Sequence, residues 1–135
     1  MATVEEIARA YWTAEESRVV SAIMAHFHPD AVWDGPGLRL VGAEEISRFY
    51  RDSGAAFPGL EVTVGRVFGD VFEAAIEWRA VLIDPSGGRH PLRGMNVMRA
   101  DGERITSLCA YFDRMEVNLG VDESAVGSAA GTGTQ

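Results

Sequence analysis

VFEAAIEWRAVLI, residues 71–83, alternates apolar with charged or small side chains and lacks helical spacing. A period of two is the mark of a strand with one face buried. The same rhythm runs through LEVTVGRVFG (60–69), RHPLRGMNVMRA (89–100) and ERITSLCAYFDRM (103–115), so four strands follow one another. Turn chemistry separates them: Gly69-Asp70 suits a tight hairpin, Asp84 to Gly88 a looser loop, and Asp101-Gly102 a third turn.

Upstream of residue 58 the period changes. Thr3-Val4-Glu5-Glu6 has capping-box form, with a hydroxyl at the N-cap and a carboxylate three residues on. Ile7, Ala10, Tyr11 and Ala14 then predict a helix over about residues 4–15. Val19, Val20, Ile23, Met24 and Phe27 give a second helical stripe, which Pro29 stops. Ala31-Val32-Trp33 reads as a short strand ended by the turn Gly35-Pro36-Gly37. AEEISRFYRDSGAAF (43–57) predicts a third helix, with Ile46, Phe49 and Tyr50 on one face and acidic residues in its first turn. Helices first and an antiparallel meander after them make an α+β domain, with the helices covering one face of a curved sheet.

The bulk composition sets limits. The chain has 135 residues, which suits one domain; residues 1–120 are expected to form it, and the aperiodic, small and polar stretch 121–135 to be a disordered tail. Apolar residues make up 47% and charged residues 24%, as in a soluble globular protein. The net charge of -8 and a pI near 4.8 argue against nucleic acid or an anionic membrane as partner. A single cysteine, Cys109, allows no intrachain disulfide and fits a cytoplasmic location. The N-terminus has no signal-peptide pattern, and no apolar run is long enough to span a bilayer. His26, His28 and His90 lack the spacing of a metal set, and no phosphate-binding glycine loop is present.

FHPDAVW (27–33), then FYRDS (49–53), then DGERITSLCAYFD (101–113) resembles, in that order, the nuclear transport factor two-like superfamily. Within it the chain is most similar to SnoaL-like polyketide cyclases and ketosteroid-isomerase-like enzymes. The resemblance implies a cone-shaped, curved antiparallel (mixed) sheet packed against about three N-terminal helices, with a ligand pocket in the cone. Many members are dimers, so a homodimer is expected. Family chemistry varies, and the fold alone names no reaction.

Carried over by position, the isomerases' oxyanion-hole tyrosine falls on Tyr11, and their late-strand donor on Asn96. Both can donate a hydrogen bond. The isomerases' base position falls on Gly35, and the nearest carboxylate, Asp34, is one residue earlier. A one-residue offset in a strand turns a side chain to the opposite face. Asp34 is therefore expected to open the turn, and stands only as a tentative base. Limonene-epoxide hydrolases resemble the chain less well. Their Asp–Arg–Asp triad falls on Ala110, Trp78 and Ala80, and their water-positioning pair on Trp33 and Gly35, which do not supply its charges.

The resemblance also implies that even-numbered residues of the late strands face inward. Trp33, Trp78, Met98, Leu108, Ala110, Tyr50 and Phe57 are the expected substrate-binding residues of an aromatic, sparsely polar pocket. The function this implies is a cofactor-independent, metal-free cyclase or isomerase of secondary metabolism, acting on a hydrophobic, polyketide-like carbonyl compound through an enolate. Two alternatives stay open: pericyclic cyclisation of a polyene by shape and hydrogen bonding, and a non-catalytic ligand-binding or dimerisation module.

Overall fold

The computed structural model describes residues 1–112. The expected tail at 121–135, and the end of the domain at 120, lie outside the described residues. Three helices, α1 (Val4–Ser17), α2 (Val20–Met24) and α3 (Ala43–Ala56), and six strands make up the described part. The strands are β1 (Phe27–Gly35), β2 (Leu38–Val41), β3 (Gly59–Gly69), β4 (Glu73–Ile83), β5 (Arg89–Ala100) and β6 (Ile105–Phe112). They form one curved, unclosed sheet in the order β2-β1-β6-β5-β4-β3. β3 to β6 are the antiparallel meander, and β1 joins β6 in parallel, so the sheet is mixed.

Local chemistry sets the helix limits. Thr3 Oγ1 accepts from the Glu6 amide while Glu6 Oε1 accepts from the Thr3 amide, the reciprocal pair that the sequence predicts. α1 ends at Arg18, a non-glycine residue in the left-handed region (φ 59°). Such a conformation costs about 1 kcal/mol. The Arg18 side chain offsets it by donating to the Phe57 carbonyl from Nε (3.0 Å) and Nη2 (2.8 Å), tying α1 to the end of α3.

Two expectations change. The second helical stripe shrinks to the short α2, because Phe27 pairs in register with Ile105 and so belongs to β1. Pro29 falls where the β1–β6 register shifts, between Phe27 and Val32, so its missing N–H removes no ladder bond there. The turn at residues 35–37 is followed by a strand that the sequence did not reveal. Gly35 pairs with Leu38 across Pro36 and Gly37, and Gly37 takes φ 74°, the Pro-Gly arrangement of a type II corner. β2 has only four residues, none of them buried, so it carries no clear period-two signal.

The core lies between the helices and the concave sheet face. Val4, Ile7, Ala8, Tyr11 and Trp12 of α1 and Ile46 and Tyr50 of α3 pack with Ile76, Met98, Ile105 and Leu108 from the strands. α1 begins over the hairpin end of the meander, where the Val4 amide donates to the Val71 carbonyl and the Ala2 amide to the Gly102 carbonyl. That end of the cone is closed. Toward the C-terminus of α1 the layers part around a cavity.

Candidate active site

Strand register decides which side chains reach the cavity. Asn96 sits opposite Ala110 on one side and Ile76 on the other, and Trp78 sits opposite Gly94. The even-numbered face is inward, and depth then divides it. Trp78, Ala80, Leu82, Asn96, Leu108 and Ala110 line a cavity of about 620 Å³. Met98, expected among the substrate contacts, is fully buried in the core and does not line it. Its neighbours across the sheet, Ala74 and Leu108, place it toward the closed end, under the start of α1.

The sheet wall carries one polar device. Trp78 Nε1 donates to Asn96 Oδ1 at 2.9 Å. An indole N–H can only donate, so this bond fixes the amide's orientation and leaves the Asn96 NH₂ group as the free donor. Gly94 makes room for the indole: a Cβ there would stand 2.7 Å from Trp78 Cζ2.

The helical wall is richer. α1 presents Tyr11, Trp12 and Glu15; α3 presents Phe49, Tyr50 and Ser53, and Phe57 follows at its end. The Tyr11 and Tyr50 hydroxyls are hydrogen-bonded to each other. Tyr50 also accepts from Trp33 Nε1 at 3.0 Å. Burial, followed by the charge of Glu15, pushes both phenols well above their ordinary value, so both stay neutral donors.

Glu15 is the residue that sequence reasoning missed. It stands one helical turn after Tyr11, beside that hydroxyl on the cavity side, and its side chain is only 18% exposed. Burial pushes its carboxyl up to about 7, against the opposing pull of Arg18, whose Nη1 is 3.9 Å away, and of the Tyr11 hydroxyl; Glu16 adds a small upward push. A carboxylic acid poised near neutrality in an apolar cavity can take up and return a proton. A signal existed in the sequence: α1 buries positions 4, 7, 8, 11 and 12, and position 15 continues that stripe.

Asp34 does not join this group. It is absent from the cavity lining and pairs instead with Arg39 across the β1–β2 hairpin, at 3.0 Å. The cause is alternation: Trp33 points inward, so Asp34 points to the convex side. The tentative base is thus outside the site. The vacated position, Gly35, does line the cavity, but a Cβ there would lie 2.6 Å from the Trp33 ring, so the indole already occupies the space. Trp33, Trp78, Tyr50, Phe57, Leu108 and Ala110 all line the cavity, as do Tyr11 and Asn96. The positions of the epoxide-hydrolase triad, Ala110, Trp78 and Ala80, also face it, and they bring no charge. Among the described residues no three His, Cys, Asp or Glu side chains gather to hold a metal, and no helix is long and apolar enough to cross a membrane.

Known structures share this architecture. An epoxide hydrolase of the limonene-epoxide-hydrolase-like type from M. tuberculosis superposes with a TM-score of 0.75 at 24% identity, over 87% of this chain and 90% of that one. The Δ5-3-ketosteroid isomerase from Mycobacterium sp. gives 0.75 at 22%, over 87% and 97%. TerC, co-crystallised with polyporic acid, gives 0.71 at 16%, over 82% and 92%. At these identities the likeness is one of fold. No curated protein matched the chain. Residues 8–108 match the SnoaL-like domain, and the chain belongs to that family.

Proposed function

We propose that this protein is a cofactor-independent isomerase or cyclase that moves a proton on a hydrophobic carbonyl compound through an enol or enolate. The observation that carries the reading is Glu15, a carboxyl buried beside Tyr11 in a mostly apolar and aromatic cavity, where burial pushes it up to about 7. In this reading the Glu15 carboxylate takes the proton from the carbon next to the carbonyl. The Asn96 NH₂ group, joined by the tyrosine pair, stabilises the charge that develops on oxygen. The same carboxyl returns the proton at the new position, so the step is balanced without a co-reactant. Arg18 is a positioning residue, holding the end of α1 and facing Glu15.

A cavity of about 620 Å³ walled by Trp33, Trp78, Phe49 and Phe57 suits a polycyclic or polyketide-like body of secondary metabolism. The names of two fold neighbours, a ketosteroid isomerase and a protein crystallised with polyporic acid, lend support to that substrate type. Pairing of two copies across the convex face, where Tyr111 is 59% exposed, belongs to the same reading.

The test is deuterium exchange next to the carbonyl in a panel of polycyclic β,γ-enones and 1,3-diketones, followed by NMR. Wild-type protein is expected to catalyse exchange with a rate that rises through about pH 7. Glu15→Gln is expected to lose roughly 10²- to 10⁴-fold. A rate that is flat between about pH 5 and 9 and indifferent to Glu15→Gln would overturn the acid–base reading and favour cyclisation by shape alone. No exchange with any compound would favour a binding module.

A further inference from the structure

The two tyrosine hydroxyls lie between a fixed donor and a titratable end. At one end Trp33 Nε1 donates to Tyr50, the one role an indole N–H can take. At the other end the Glu15 carboxyl stands one turn further along α1 than Tyr11, on the same cavity-facing side, where the two side chains interact. The link between the hydroxyls can run in either direction. All four side chains line the same cavity.

Counting protons leaves two arrangements. A carboxylate only accepts, so with Glu15 ionised Tyr11 donates to it and Tyr50 donates to Tyr11. Tyr50 then accepts from Trp33 and has only a lone pair left for a ligand. With Glu15 protonated the chain can reverse. The carboxyl donates to Tyr11, Tyr11 donates to Tyr50, and the Tyr50 O–H is released to the cavity. The other charged groups near Glu15 have partners of their own, and Arg18 Nη1 lies 3.9 Å from its carboxyl. Arg18 is engaged with the carbonyls of Phe57 and Ser53, and Glu16 accepts from the Val62 amide at 2.7 Å.

We infer that the Trp33–Tyr50–Tyr11–Glu15 chain is a reversible polarity switch suited to an enolisable ring ketone. The site presents a donor to the keto form when Glu15 carries a proton, and an acceptor to the enol or phenol form when it does not. The inference names the substrate class of the site proposed above and rests on that reading for its biological meaning. Its physical content concerns binding alone, so it can fail or stand apart from turnover.

Two probes of similar size separate the states. 2-Acetylnaphthalene offers only an acceptor oxygen; 2-naphthol offers a donor. Their Kd values are measured with the full chain from about pH 5.5 to about pH 8.5, where a carboxyl near 7 titrates. The ketone is expected to weaken above about pH 7, approaching tenfold per pH unit, while naphthol stays level or tightens. Glu15→Gln is expected to flatten both profiles, and Tyr50→Phe to weaken the ketone roughly tenfold at low pH. Parallel profiles for the two probes in wild-type protein would overturn the switch, and this arm needs no variant to fold. Divergence that survives Glu15→Gln would overturn it as well. Divergent binding without exchange catalysis would leave the switch standing and remove only the enzymatic reading.

Discussion

The two walls of the cavity are built on different plans. The sheet wall, from Trp78, Ala80, Leu108 and Ala110, is apolar and holds one amide, Asn96, whose partner is a neutral indole. The helical wall joins two phenols, a carboxyl and, behind it, a guanidinium. One wall offers a fixed donor and no charge. The other offers groups whose proton count can change. The difference teaches that the helical layer can bring a carboxyl to such a cavity where the sheet layer brings none. The strand positions where the resemblance places such groups are here Ala110, Ala80 and Gly35, and the helical position 15 carries the acid.

The largest effect that could break this contrast is on stability. Glu15 has a folded-state value raised from 4.5 to about 7. A raised value means that its contribution is fully present below about pH 4.5 and is lost as pH rises through about 7. The loss amounts to about 3 kcal/mol at most. Urea titrations at several pH values are expected to show wild-type stability falling across that window. Glu15→Gln should flatten the fall and be the more stable protein at about pH 8. Equal slopes in the two proteins would mean that the helical wall carries no strained charge. Next comes the sheet wall: Asn96→Ala is expected to lower exchange turnover on the order of a hundredfold. Its far-ultraviolet circular dichroism should remain unchanged. Full activity in that variant would leave catalysis to the helical wall alone. The smallest effect concerns the convex side. Asp34→Asn removes an exposed ion pair with Arg39, and is expected to change unfolding free energy by less than about 1 kcal/mol and turnover by less than about twofold. A strong loss of turnover would bring Asp34 back into the chemistry.

Much of this was legible in the sequence. The period-two runs placed β3 to β6 within a few residues, and the Thr3–Glu6 box and the 43–57 stripe placed α1 and α3. That Tyr11 and Asn96 face the cavity was legible through position in the family pattern, and Asp34's outward direction through strand parity. β2 was not, because four half-exposed or exposed residues carry no hydrophobic alternation. Met98 was misjudged because parity gives the face of a strand but not the depth along it; the N-terminus of α1 closes the cone above that residue. Glu15 escaped because a glutamate in the run AEES reads as solvent-facing. Only the continuation of the buried stripe beyond Tyr11, together with the tie from Arg18 to the end of α3, turns it inward.

The close approach of the Trp33 ring to Gly35 also ties these two positions together in any redesign of the site. A carboxylate installed at residue 35 alone would collide with the indole, and shrinking Trp33 alone would open a hole and leave Tyr50 without its donor. In this chain an acid at residue 35 therefore calls for a matching change at residue 33.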